Sequence, residues 1–189
     1  MIIRKQDLIA NRWSGGTTTE LFIFPPEADY LKRDFDVRIS TATVETERSE
    51  FSDLTGYHRL LIVLAGELTM EHQIALDTTS THLLPLQPAF FLGEWKTIGY
   101  GKVTDFNVIY KPEYHVSAEI IHFHEHEELV LTSAEATFFI WTTEGELITD
   151  SGNCKAEELY VLEANTSQTI RATVNSTIIL VKINSSVLK

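Results

Sequence analysis

The sequence is poor in the groups from which several common functions are built. It holds one cysteine, Cys154, among 189 residues, which excludes an internal disulfide framework and a thiolate cluster for zinc. Basic residues are scarce, 15 Lys and Arg against 27 Asp and Glu, for a net charge of −12. A nucleic-acid-binding surface needs clustered cations to meet phosphates, and no basic run offsets this balance. The longest apolar run, Leu60 to Ala65, is far shorter than the ~20 residues that cross a bilayer. Met1-Ile2-Ile3-Arg4-Lys5-Gln6-Asp7 leads into no apolar stretch long enough for a secretory signal. These absences predict a cytoplasmic protein, kept soluble by its acidic surface, that binds neither nucleic acid nor membrane. Helical periodicity is scarce too, and Glu45 to Asp53 is the best short candidate for a helix.

Strand signals are abundant. In Val37-Arg38-Ile39-Ser40-Thr41-Ala42-Thr43-Val44, period two puts Arg38, Ser40 and Ala42 on one face. Leu60-Leu61-Ile62-Val63-Leu64-Ala65 ends at Gly66-Glu67, which fits a buried strand entering a turn. Val103 to Tyr110 alternates, with Asp105 and Asn107 on one face and Phe106 and Val108 on the other. Phe138 to Trp141 and Ile178 to Ile183 read the same way. A hydrophobic content of 43% is enough for one or two compact units. Many short strands with frequent turns predict an all-β sandwich or barrel.

The chain also repeats itself. Leu60 to Thr69 is echoed by Phe138 to Thr149: an apolar strand, then Gly-Glu-Leu, then a Thr-bearing return. Phe106 to Lys111 is echoed by Ile178 to Ile183 as a closing strand. The recurrence predicts a duplication with its boundary near Lys111-Pro112-Glu113, where proline interrupts the strand pattern. Residues 1–112 then form a first barrel and 113–189 a second, degenerate one. An apolar strand turning at Gly-Glu, with a later Leu86-Gln87-Pro88 turn, resembles the cupin jelly roll. Two such halves make a bicupin, whose barrel mouths are lined by inward-facing side chains.

Chemistry concentrates in the first half. Gly15-Gly16 lets the chain pass close to a ligand, or else marks a polar turn into an edge strand, and the following strand sets Thr18 and Glu20 on one face with Phe22 and Phe24. Arg38 lies in a strand that otherwise reads as buried, and a buried guanidinium must be paired. Its partner is Glu20, Asp105 or a ligand carboxylate held bidentately. Thr18, Glu20, Arg38, Ser40, Asp105 and Asn107 all fall on faces that alternation groups together, which is more polarity than one barrel interior needs.

The segments Trp13-Ser-Gly-Gly-x-Thr-x-Glu20, Val37-Arg38-Ile39-Ser40, Phe51 with Gly56 and Arg59, Leu86-Gln87-Pro88 and Asp105-Phe106-Asn107 resemble the HutD/Ves family. The resemblance runs in order through about the first 110 residues and continues more loosely to the end. It implies a bicupin associated with histidine utilisation, a binder or regulator rather than a proven enzyme. It also implies a first-barrel pocket for a small carboxylate such as formiminoglutamate or urocanate. The residues carried over are Thr18, Glu20, Arg38, Ser40, Phe51, Asp105 and Asn107. Arg38 would hold the ligand carboxylate, while Glu20 and Asp105 orient it or accept from a cationic nitrogen. Thr18, Ser40 and Asn107 would supply neutral hydrogen bonds, and Phe51 an apolar wall. Family members more often place the tryptophan ahead of the basic residue, whereas here Asn11-Arg12-Trp13 reverses that order and leaves the role of Trp13 open.

His122-x-His124-x-x-x-Glu128 reproduces the ligand spacing of metal-binding cupins. Against a metal, Val116 and Glu135 stand where flanking glycines belong, and no histidine follows His126. The cluster also lies outside the segments that carry the resemblance, and with Ile121 and Phe123 inward its histidines face solvent. No cofactor is expected, and a metal-dependent enzyme built on these three residues is the alternative. No Gly-x-Ser-x-Gly elbow is present, and Cys154, in a polar turn, reads as a surface thiol. A third reading is a protein-interaction module, and unpaired sheet edges are compatible with a homodimer.

Overall fold

The computed structural model describes residues 1–133 and 135–184. Its strands are β1 (Ile2–Arg4), β2 (Ala10–Trp13), β3 (Gly16–Phe24), β4 (Val37–Val44), β5 (Arg48–Glu50), β6 (His58–Ala65), β7 (Leu68–Ile74), β8 (Asp77–Leu83), β9 (Pro88–Leu92), β10 (Lys96–Tyr100) and β11 (Val103–Tyr110). They continue with β12 (Val116–Phe123), β13 (Glu128–Ser133), β14 (Ala136–Glu144), β15 (Glu146–Thr149), β16 (Gly152–Lys155), β17 (Glu158–Leu162), β18 (Thr166–Ala172) and β19 (Ser176–Asn184). Every pairing is antiparallel. The helix expected over residues 45–53 is not formed, because Arg48–Glu50 pairs with Ile98–Tyr100. Ser49 turns inward while Arg48 and Glu50 bond each other at 2.9 Å outside. Period two wins over a weak local helical pattern.

Leu8–Pro112 form one unit. A six-stranded sheet, β2-β3-β4-β11-β6-β9, faces a four-stranded one, β5-β10-β7-β8, across a core that joins Val44, Leu61, Val63 and Phe91 to Leu68, Met70 and Leu83. Leu60 to Val63 are at most 1% exposed, so this strand is buried on both faces, which is why its sequence is continuously apolar rather than alternating.

The second unit contains Glu113–Lys189 together with Met1–Asp7. Its sheets, β1-β17-β14-β19-β12 and β13-β18-β15-β16, pack through Phe138, Ile140, Ile178 and Leu180 against Leu147, Ile170 and Cys154. The first seven residues, assigned to the first barrel from sequence, therefore belong with the second. Ile2–Arg4 covers the edge of β17, Ile2 packs on the core, and Arg4 pairs with Glu158 at 3.2 Å. Deleting Met1–Asp7 is expected to cost about 2 kcal/mol, through lost apolar burial and an uncovered edge. Urea unfolding checks this, and an unchanged midpoint would contradict it.

The duplication can be followed residue by residue. Gly66 and Gly145, with φ of 82° and 86°, take the left-handed turn that only glycine adopts freely. A bulge skips Leu64 in the pairing of β6 with β11, and another skips Thr143 in that of β14 with β19. Aligned on these marks, Arg59 corresponds to Phe138, Leu61 to Ile140, Asp105 to Ile178 and Asn107 to Leu180. Cys154 is fully buried in the second core rather than at the surface, and burial pushes its thiol up to about 11, which makes it an unreactive packing group.

Candidate functional site

Cross-strand register builds the site in rows. Glu20, Ser40, Asn107 and Leu61 lie abreast on β3, β4, β11 and β6, and Thr18, Ala42, Asp105 and Val63 form the neighbouring row. A bulge between Glu20 and Phe22 then shifts β3 by one residue, so that Ile23, not Phe22 or Phe24, stands beside Arg38. Strict alternation had put both phenylalanines on the pocket face. The extra residue turns them away. The third row is Ile23, Arg38, Ile109, Arg59 and Phe91.

These rows wall a cavity of about 870 Å³. All seven residues singled out in the sequence, Thr18, Glu20, Arg38, Ser40, Phe51, Asp105 and Asn107, line it. Gly15 and Gly16 allow the close approach at its rim: a Cβ on Gly16 would stand 1.9 Å from the Thr43 carbonyl, and one on Gly15 would stand 2.1 Å from the Trp13 ring. Trp13, whose place the order of residues left open, lies folded over Gly15 and lines the cavity.

Arg38 is buried and internally satisfied. Its Nε donates to Glu20 Oε2 at 2.7 Å, its Nη1 to Ser40 Oγ at 3.0 Å, and its guanidinium lies 4.3 Å from the Tyr30 ring centre. Burial would raise the Tyr30 hydroxyl, but hydrogen bonds with Ser52 and Arg33 and the charges of Arg33 and Arg38 bring it below its ordinary value. Since Glu20 is about a third exposed, Glu20→Ala is expected to cost about 2 kcal/mol rather than the full penalty of a buried unpaired charge. Chemical denaturation measures this, and no loss would mean that Ser40 and Tyr30 alone satisfy Arg38.

Arg59 is the group that the seven-residue set lacked. It is 9% exposed, its guanidinium lies 4.9 Å from the Phe51 ring centre and 5.0 Å from that of Phe91, and its Nε has no hydrogen-bond partner. Among the described residues no ion pair holds it. Desolvation lowers it to about 10, against the favourable charges of Tyr30 and Asp105. Two aromatic faces offset part of the cost of burying this cation, and the rest is left open toward the cavity. The signal was present in the sequence: Arg59 is two residues from Leu61, on the face that alternation assigns to the barrel interior.

Asp105 is 3% exposed. Burial raises its carboxyl to about 7, against the opposing effects of Asn107, Arg59 and the Ala42 N–H. Asn107 Nδ2 donates to its Oδ1. Beneath Arg59, His72 lies 5.1 Å from Phe91 and bonds Thr97 Oγ1 at 2.8 Å through Nδ1. Thr97 spends its own proton on the Trp95 carbonyl, so His72 must donate. Burial and the Arg59 charge lower its pKa, which keeps it neutral at physiological pH.

A family model, HutD, matches residues 5–180. The chain belongs to the HutD family. Among solved structures, the conserved protein of unknown function PA5104 from Pseudomonas aeruginosa PAO1 superposes with a TM-score of 0.80 at 21% identity, covering 98% of each chain. HutD from Pseudomonas fluorescens SBW25, crystallised in a formate condition, gives 0.73 at 23%, covering 98% of this chain and 99% of that one. Vicilin from Solanum melongena, described with different anionic ligands in structurally similar pockets, gives 0.73 at 8%, over 98% and 85%. No curated protein matches the sequence. The fold is that of a bicupin, and no helix of the described residues is long and apolar enough to cross a membrane.

The metal alternative finds no geometry. His122 is in the sheet of β12 and bonds Thr177 Oγ1 at 3.1 Å. Glu128 opens β13 in the facing sheet, opposite Arg171. Among the described residues no three His, Cys, Asp or Glu side chains gather to hold an ion.

Proposed function

We propose that this HutD-family chain binds a small carboxylate metabolite in the cavity of its Leu8–Pro112 unit, in a regulatory or accessory role in the cytosol. Arg59 is the principal anion receptor, Arg38 frames the wall through Glu20 and Ser40, and Asn107 and Thr18 supply neutral hydrogen bonds. One observation carries this reading: a buried guanidinium lines the cavity, and among the described residues no carboxylate pairs with it. The repeat shows that the fold does not demand such polarity, because Phe138, Ile140, Ile178 and Leu180 fill the corresponding interior of the second unit with apolar side chains. The same strands close either way, so the polar set serves a ligand.

HutD from Pseudomonas fluorescens was crystallised in a formate condition, and vicilin from Solanum melongena holds different anionic ligands in structurally similar pockets. Together with the family's association with histidine utilisation, these observations make histidine-degradation acids such as formiminoglutamate and urocanate the first compounds to try. Calorimetric titration with these two, histidine and formylated amino acids tests the reading. At least one carboxylate is expected to bind one-to-one, and no heat from any of them would overturn it.

A further inference from the structure

The carboxylate site contains its own acid. Asp105 and Arg59 carry opposite charges on the same inner wall, yet they form no ion pair among the described residues, and the Leu61 position separates their rows. Asn107 anchors Asp105 by donating to Oδ1, and the carboxyl lines the same cavity as Arg59. The duplicated strand has Ile178 at this position, so a titratable group is not needed to build the barrel.

We propose that Asp105 takes up a proton from solvent as a carboxylate docks on Arg59, and that the neutral acid then donates its O–H to the ligand, so that the pocket captures an anion and a proton together. This rests on the carboxylate reading of the cavity. The cause is charge balance. In the free protein the Arg59 cation helps Asp105 to ionise. A bound anion cancels that help and adds a second negative charge to a desolvated space, where two carboxylates do not both stay ionised.

Among the described residues, the other titratable groups at the cavity are engaged elsewhere or partly exposed to solvent. From β3, Glu20 is committed to Arg38 of β4. From β7, His72 donates to Thr97 and is held neutral. From the loop of residues 25–36, Tyr30 lies against Arg38 and Arg33, while Glu27, Asp29 and Lys32 line the cavity at least partly exposed to solvent, as do Arg12 and Glu50. Burial already holds the Asp105 carboxyl at about 7, so a further rise places its proton uptake within the physiological range.

Calorimetric titration of the full chain with sodium formate, at pH 8 in triethanolamine and in Tris, counts the protons directly. Close to one proton taken up per formate is expected, with affinity falling roughly tenfold per pH unit between pH 7.5 and 8.5. Asp105→Asn, whose amide keeps a donor at this place, is expected to show no proton uptake and no pH slope over that range. Formate that binds the unmodified protein with equal heat in both buffers overturns the proposal while leaving the anion site standing, and so does a pH slope that survives in Asp105→Asn. Formate that fails to bind at any pH overturns this proposal, and the anion site falls with it only if the larger carboxylates titrated above also give no heat.

Discussion

Arg59→Met is expected to abolish carboxylate binding and to make the protein more stable. The guanidinium offers the only buried cationic donor in the cavity that is without a partner among the described residues, and a two-pronged bond to a carboxylate is among the strongest available to a side chain. Its loss should weaken binding by at least about 100-fold, equivalent to roughly 3 kcal/mol. Methionine keeps the stem that packs between Phe51 and Phe91 and removes a charge whose pKa burial has lowered from 12.5 to about 10. That depression corresponds to roughly 3 kcal/mol of strain at neutral pH, so the variant should gain about 1–3 kcal/mol. Calorimetry and urea unfolding read the two effects separately. A variant that both binds and unfolds like the parent would remove Arg59 from the site.

Asp105→Asn is expected to stabilise the ligand-free protein at pH 8 and to make little difference near pH 4. The folded carboxyl is raised from 3.8 to about 7, so the folded state holds this proton more tightly than the unfolded chain. Its contribution is fully present below about pH 4 and is lost as pH rises through 7, on the order of 4 kcal/mol in all. Asparagine preserves the shape without the titration. The stability gap should open between pH 4 and 7 and level off above about 8. Urea unfolding across that range measures it, and a gap that stays constant with pH would show that the carboxyl is not perturbed.

The two expectations reassign the leading role within the pocket. Sequence reasoning gave the ligand to Arg38, because a charge between Val37 and Ile39 stood out against apolar neighbours. Arg59 was visible in the same way and lies in the family motif, but it opens an apolar run and reads there as a strand end. Which arginine is free depends on whether a carboxylate stands within reach, and Glu20 reaches Arg38 at 2.7 Å only because β3 and β4 pair in one register. The bulge at Leu21 had no mark in the sequence either, since an inserted residue in a strand looks like any other. Phe22 and Phe24 were misplaced for that reason, and Cys154 because a polar turn in sequence can still direct one side chain inward.

Alternation, turn residues and the repeated Gly-Glu-Leu determined the strands, the two-barrel plan and the polar face of the first barrel, because period two and glycine turns are local properties of the chain. The tertiary structure alone decided that Met1–Asp7 complete the second barrel, that Glu20 occupies Arg38, and that Arg59 lies unpaired beneath the cavity. Those outcomes depend on the register between strands far apart in sequence, and register is set by packing across the sheets rather than by any one segment.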